Sequence, residues 1–264
     1  MTKTIDLSQL TVSEGFLLQG AAAGDGAGGS VSSAGDINGD GFADIIIGAS
    51  QADTDGTASG EVYLVFGKAG GFGTVDLAAL SASDGFSIQG DSAGDNAGIS
   101  VSAAGDINGD GFDDFIIGAR LDDTGPNNSG TAYVVFGKAT GLGNLDLSVL
   151  ESSDGFQING AAANDQTGQS VSSAGDINGD GFDDIIVGVN QHDGSAADTG
   201  AAYVIFGKAG GFTDIALATF SLSDGFIISG EATLDKAGSS VSSAGDINGD
   251  GFDDIIIGSP QASG

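Results

Sequence analysis

The sequence predicts an all-β protein built from repeats, and three observations carry that prediction. The nonapeptide DINGDGFxD occurs four times, beginning at Asp36, Asp106, Asp176 and Asp246, with a constant period of 70 residues. The apolar segments between the copies are short and either alternate with polar residues or form brief runs, as strands do. No segment carries the apolar period of about 3.6 residues that marks an amphipathic helix.

Within the first full repeat, residues 28–37 (GGSVSSAGDI) alternate around Val31 and read as a first strand. The acidic loop follows directly, and 44–49 (DIIIGA) is a buried second strand. The polar segment 50–60 leads to 61–68 (EVYLVFGK), whose alternating apolar residues give a third strand. The stretch TVDLAALSASDGF suggests a short helical turn before the fourth strand, 85–90 (GFSIQG). A loop that joins the first two of these strands is the tip of a hairpin. Repeats fall at about 5–74, 75–144, 145–214 and 215–264, the last incomplete, and the whole chain 1–264 reads as one domain of repeated units. Residues 15–20 form a detached fourth strand, and the closing ASG matches Ala58 to Gly60, just before a third strand. These terminal pieces are expected to assemble a closing sheet that lacks its third strand. An open edge pairs readily with another chain, so the sequence is expected either to be part of a longer array or to complete itself as a homo-oligomer.

Each nonapeptide places side-chain oxygens at loop positions 1, 3, 5 and 9. The sets are Asp36, Asn38, Asp40 and Asp44; Asp106, Asn108, Asp110 and Asp114; Asp176, Asn178, Asp180 and Asp184; and Asp246, Asn248, Asp250 and Asp254. The glycine at position 6 permits a sharp turn, and the backbone carbonyls of position 7 (Phe42, Phe112, Phe182 and Phe252) add one more oxygen per loop. A hard divalent cation takes about six to eight oxygens, with water completing the shell. The reading is therefore Ca2+, about four ions, one per repeat. An Asp-Asn-Gly turn without metal uses the same residue types, but three neighbouring carboxylates repel one another, and a turn kept for its shape alone gives no reason to repeat them. The EF-hand is excluded because its twelfth position must be a bidentate acid, whereas here it is Ile47, Ile117, Val187 or Ile257, inside a strand. Position 8 is Ala43 in the first loop and Asp113, Asp183 and Asp253 in the others. Since position 8 is not a ligand, the first loop is expected to bind as well, slightly weakened by the loss of a nearby charge.

Composition narrows the function. Acidic residues number 37 against 6 basic ones, a formal charge of −31 that excludes nucleic acid and anionic membrane surfaces as partners. With no cysteine and one histidine, His192, thiolate and multi-histidine metal sites are excluded, a histidine-based triad has His192 as its single candidate, and His192 is expected instead at the surface. No stretch approaches the roughly 18 apolar residues of a membrane span, and the start MTKTIDLSQLTVSEGF lacks the pattern of a secretory signal. Lys68, Lys138 and Lys208 follow Phe-Gly and precede alanine, which does not fit a phosphate-binding loop, so they are expected beside surface acids. Acidic pairs such as Asp122 and Asp123 are not placed across a cleft by anything in the sequence, and no catalytic residue is assigned. Asp25, Asp95, Asp165 and Asp235 recur before the first strand and read as turn formers rather than ligands. Tyr63, Tyr133 and Tyr203 read as packing between repeats, each hydroxyl with a partner. The segments that differ most between repeats, 50–60, 120–130 and 190–200, are candidate contacts for a protein or glycan ligand. Arg120, the only arginine, opens one of them as a candidate contact for an acidic partner, and Asn127 lies in an N-x-S sequon.

The segment SVSSAGDINGDGFADIIIGAS, followed by YLVFG, resembles the FG-GAP repeat, the blade unit of the integrin α-subunit β-propeller, through nearly the whole chain. The terminal GAP of that motif is imperfect, reading GAS, GAR, GVN and GSP from Gly48, Gly118, Gly188 and Gly258. The resemblance implies a β-propeller of four-stranded antiparallel blades, here three full repeats and one split or incomplete. It implies calcium in the loop between the first two strands on the lower face, and ligand-binding loops on the opposite face. By that likeness the chain is a noncatalytic, calcium-stabilised module for extracellular or cell-surface adhesion or recognition. The alternatives are a propeller beside a secreted hydrolase, phospholipase-like or glycan-active, and a purely structural repeat of a surface adhesin.

Overall fold

Strand-length apolar segments bounded by glycine-rich turns leave antiparallel pairing as the way to satisfy the backbone. A computed structural model of the chain describes residues 7, 10, 11, 14–194 and 196–261. The first strands are Ser30–Gly35, Ser100–Gly105, Thr167–Gly175 and Ser240–Gly245, and the second strands are Asp44–Ala49, Asp114–Ala119, Asp184–Val189 and Asp254–Gly258. The third strands are Glu61–Val65, Thr131–Val135 and Ala201–Ile205. The fourth strands are Leu18–Gln19, Gly85–Gln89, Gly155–Asn159 and Gly225–Ser229. Within each full repeat these pair antiparallel in the order first, second, third, fourth, with Val31 opposite Ile47 and Ile47 opposite Tyr63 in the first blade. The register slips where each first strand enters its acidic loop, at Ser33/Gly35, Ala103/Gly105, Ser173/Gly175 and Ser243/Gly245.

A fifth, very short strand lies at the outer edge. Val75–Asp76 pairs parallel with Leu18–Gln19, Leu145–Asp146 with Ile88 and Gln89, and Ile215–Ala216 with Ile158 and Asn159. The helical turn read from the sequence follows it as a single 3-10 turn, Leu77–Ala79, Leu147–Val149 or Leu217–Thr219. Asp76 and Asp146 cap the first two of these turns through the amides of Ala78 and Ser148. Each repeat thus covers the outer edge of the preceding blade with its own backbone, a placement absent from the sequence reading. Asn144 and Asp214 extend that cover by accepting the N–H groups of Ser87 and Gln157 at 3.1 and 3.0 Å. The outer edges of the first two blades are thereby closed to other strands, while Gly225–Ser229 of the third has no outer partner among the described residues.

The core lies between blades, so both faces of a blade are apolar. The second blade directs Phe115, Ile117, Tyr133 and Val135 at Ile46, Leu64 and Ile88 of the first. Its other face directs Ile116, Val134, Phe156 and Ile158 at Ile185, Val187, Tyr203 and Ile205 of the third. Two-sided burial explains why the second strands read as continuous apolar runs rather than alternations. Each such side chain taken fully out of water contributes about 1.5 to 3 kcal/mol. The first strands of successive repeats adjoin, with the Val101 and Val171 amides donating to Ser30 and Ser100 Oγ at 3.0 Å.

The expected closing sheet does not form among the described residues. Leu18–Gln19 pairs with Val75–Asp76 alone, and the fourth-repeat hairpin stands as a separate two-stranded sheet. The closing ASG and the start 1–6 lie outside the described residues.

Candidate functional site

Each acidic loop folds its backbone over its own side-chain oxygens. In the first, Asp36 accepts the Asp40 N–H on Oδ1 (3.0 Å) and the Gly41 N–H on Oδ2 (2.8 Å). Asn38 Oδ1 also accepts the Asp40 N–H (2.8 Å), and Asp40 Oδ1 accepts the Phe42 N–H (2.9 Å). Gly39 and Gly41 have φ of +73° and +88°, which a side chain would disfavour. The same bonds recur around Asp106, Asn108 and Asp110, around Asp176, Asn178 and Asp180, and around Asp246, Asn248 and Asp250. Four loops therefore hold their donor oxygens in one conformation.

The ninth-position acid ties the loop to the sheet. Asp44 accepts the Ile37 N–H on one oxygen (3.0 Å) and the Gly67 N–H, just past the third strand, on the other (2.8 Å). Asp114 does the same with Ile107 and Gly137, and Asp184 with Ile177 and Gly207. Asp254 accepts from Ile247 at 3.0 Å. Burial pushes the Asp44 and Asp184 carboxyls up to about 6 and Asp114 up to about 8, against the opposing pull of those N–H groups. Repulsion from the acids at positions 1 and 5 adds to the rise. In the exposed fourth loop the backbone N–H groups of Gly251, Gly249 and Asp250 hold Asp246 below the usual carboxylate range.

Hard oxygen donors alone line these loops, and among the described residues no lysine or arginine pairs with them. In the first two loops each carboxylate oxygen accepts at most one N–H and retains a second lone pair, whereas Asp176 and Asp246 Oδ1 each accept two N–H groups and leave Oδ2 with the spare one. The set fits a hard divalent cation: Asp36, Asn38, Asp40 and Asp44, with the Phe42 carbonyl, could hold one, and likewise their counterparts in the other loops.

Two positions do something the sequence reading did not assign. The position-eight acids face the preceding repeat, where Asp113, Asp183 and Asp253 accept the N–H groups of Asp36, Asp106 and Asp176 at 2.7, 2.9 and 3.0 Å. The Phe112, Phe182 and Phe252 rings press on Gly39, Gly109 and Gly179 of the preceding loop. Ala43 therefore forgoes a hydrogen-bond acceptor aimed outside its own loop; the position-eight charge is still felt within the loop, as burial and then repulsion from neighbours that include Asp176 of its own loop push the Asp183 carboxyl up. A 77-residue separation hid these contacts; the recurrence of Asp at position 8 was the available signal.

The opposite ends of the blades carry 50–60, 120–130 and 190–200. They share a scaffold despite different sequences: Asp53, Asp123 and Asp193 accept the amides of Ala58, Asn128 and Asp198, three residues with φ near +50°. Arg120 is half-buried and donates to Gln169 of the next repeat at 3.2 Å, bracing two repeats. Asp25, Asp95, Asp165 and Asp235 are turn formers, each accepting the N–H of the residue three before it. Asp95 also gathers with Asp91 and Asp122, their carboxylate oxygens within 4.8 Å of one another, which the sequence reading missed. His192 is half-buried rather than at the surface, 3.4 Å from Asp165 and edge-on to Tyr203. Tyr63 and Tyr133 donate to Glu61 and Asp122 at 2.5 Å. Lys68 and Lys138 pair with Asp84 and Asp154, while Lys208 stands over the Phe212 ring.

Four-stranded antiparallel blades, repeated every 70 residues with an acidic hairpin tip on each, define a β-propeller repeat protein. The family model described as FG-GAP repeat matches residues 27–65, 97–135, 167–205 and 237–264, more than half of the chain, and the chain belongs to that family. It is 32% identical over 162 residues to phosphatidylinositol-glycan-specific phospholipase D of Bos taurus, covering 60% of this chain and 18% of the relative. It is 31% identical to integrin alpha-5 of Xenopus laevis (60% of this chain, 13% of the relative). It is also 31% identical to integrin alpha-PS5 of Drosophila melanogaster (66% and 16%). The chain thus matches less than a fifth of each of these relatives. No helix among the described residues is long and apolar enough to cross a membrane.

Proposed function

We propose that the chain is a noncatalytic, calcium-stabilised propeller module that recognises a protein or glycan ligand outside the cell or at its surface. The observation that carries this reading is the oxygen-only loop repeated four times with its acceptors fixed by backbone N–H groups. A cation offsets the repulsion among the loop acids and clamps the first hairpin of each blade. Stability then follows free calcium by mass action, in the range of about 0.1 to 1 mM typical of extracellular modules. Recognition falls to the divergent loops 50–60, 120–130 and 190–200, and an open blade edge is completed by a further copy of the chain. Thermal unfolding with and without a chelator tests the calcium reading. Calcium in excess should raise the midpoint by roughly 10 °C, and a midpoint and circular dichroism spectrum indifferent to chelation would reject it.

The relative named as a phospholipase D supports a second reading, in which the module accompanies a hydrolase and the catalytic residues lie elsewhere in the polypeptide. Assays of this segment and of any longer natural polypeptide against phosphoesters and glycans separate the two.

A further inference from the structure

We propose that Asp113, Asp183 and Asp253 are positioning residues that couple each acidic loop to the one before it, so that cations fill the array cooperatively. This rests on the calcium reading above. Each of these carboxylates holds the N–H of a position-one aspartate, itself a donor in the preceding loop. In two cases the bond is reciprocated, as the Asp113 and Asp253 amides donate to the carbonyls of Asp36 and Asp176 at 3.3 and 3.4 Å. Each is also the chain neighbour of its own loop's ninth-position acid, Asp114, Asp184 or Asp254. One dipeptide therefore belongs to two loops at once.

The glycines around the clamp show that it is built into the fold. Any side chain at Gly35, Gly105 or Gly175 would collide with the docking carboxylate, and one at Gly39, Gly109 or Gly179 with the docking phenylalanine. At the corresponding Gly245 and Gly249 nothing among the described residues lies within 4 Å. Two further bonds brace the joint, from the Lys138 and Lys208 amides to the carbonyls of Ile37 and Ile107 at 2.8 and 3.0 Å. The clamp sets a fourth carboxylate beside a loop that already has three, and a divalent cation in that loop offsets the repulsion. Cation and clamp therefore favour each other, and by linkage the benefit is mutual. The fourth loop, with no such residue docked on it among the described residues, is the internal reference.

The test is calorimetric calcium titration of the whole chain in three forms: the parent, the triple variant Asp113→Ala, Asp183→Ala, Asp253→Ala, and the same triple to Asn. The parent should bind with a Hill coefficient above 1. The alanine triple should bind without cooperativity, the three sites on which these residues dock about tenfold weaker and the fourth affected least. The asparagine triple, whose amide oxygen accepts the same N–H but carries no charge, should keep the fold and yet titrate like the alanine triple. Superimposable isotherms for parent and alanine triple overturn the coupling while leaving the calcium reading intact, as does an asparagine triple that restores the parent's isotherm. A parent that takes up no calcium overturns both. If circular dichroism shows the alanine triple unfolded, Asp183→Ala alone gives the same comparison at the second loop.

Discussion

The two ends of each blade obey different rules. At one end the tip reads DINGDGF in every copy, while at the other the loops 50–60, 120–130 and 190–200 diverge. Both ends are tight turns held by aspartate side chains, so turn chemistry does not separate them. In the first three copies the constant tip is pinned from both sides: the next repeat sets a carboxylate on position 1 and a ring on position 4, and its own ninth residue holds position 2. The variable end keeps its scaffold bonds but exchanges its charges. The pair of positions filled by Asp25 and Ala52 in one repeat holds Asp95 and Asp122 in the next and Asp165 with His192 in the third. At the uniform end the successor is held by side chains, whereas at the divergent end it is held largely through backbone carbonyls, as where the Asn96 and Thr167 amides donate to the carbonyls of Ala58 and Ser129, so side chains there can differ.

The largest test of that contrast is Gly137→Ala, at the constant end. A side chain there would collide with the Asp113 carbonyl and lie 2.7 Å from the Ile37 carbonyl, both backbone atoms. Chemical denaturation should show a loss of about 3 kcal/mol. Gly125→Ala, at the variable end, meets only the Ser129 hydroxyl at 2.9 Å and should cost less than about 1 kcal/mol. Equal losses would erase the distinction. Next is Asp114→Ala in chelator, which leaves the buried amides of Ile107 and Gly137 unpaired. Denaturant midpoints should report about 2 to 4 kcal/mol, independently of any cation.

Smaller effects sharpen the variable end. Burial, with repulsion from Asp122, pushes the Asp95 carboxyl up to about 7, so its contribution to stability is present below about pH 4 and is lost as pH rises through 7. Asp95→Asn should flatten that decline and raise the melting temperature at pH 8. The hydrogen bond that the His192 ring donates to Asp165 raises the His192 pKa above its usual value, so its stabilisation is present below about pH 6.5 and is lost as pH rises past the folded value. His192→Gln should therefore cost about 1 kcal/mol at pH 5.5 and little at pH 8.5. Matched melts of the two variants across that range give opposite signs if adjacent blades fill the same pair of positions with two like charges in one and opposite charges in the other. The smallest effect is Asn127→Gln, on an exposed loop, which should stay within about 0.5 kcal/mol in the same denaturation assay.

Much of the blade was legible because it is local. Alternation around Val31, the run DIIIGA and the alternation of EVYLVFGK each report which faces of a strand are buried, and those strands stand where the pattern put them. The hairpin-tip location of the acidic loops follows from the same reading. The edge strand Val75–Asp76 was missed because two residues carry no period, and its partner Leu18 lies 57 residues earlier. The half-burial of His192 is illegible for a related reason: a polar residue in a polar loop reads as exposed until a turn 27 residues away supplies Asp165.

By itself the sequence determined the repeat, the order of strands and the oxygen-only character of the loops, since spacing and side-chain chemistry are properties of short segments. Only the tertiary structure decided what position 8 faces, which glycines leave room for a neighbour, and how the charge of Asp95 or His192 is met. Those depend on groups brought together from tens of residues apart by blade-to-blade packing, and no short stretch of chain carries that information.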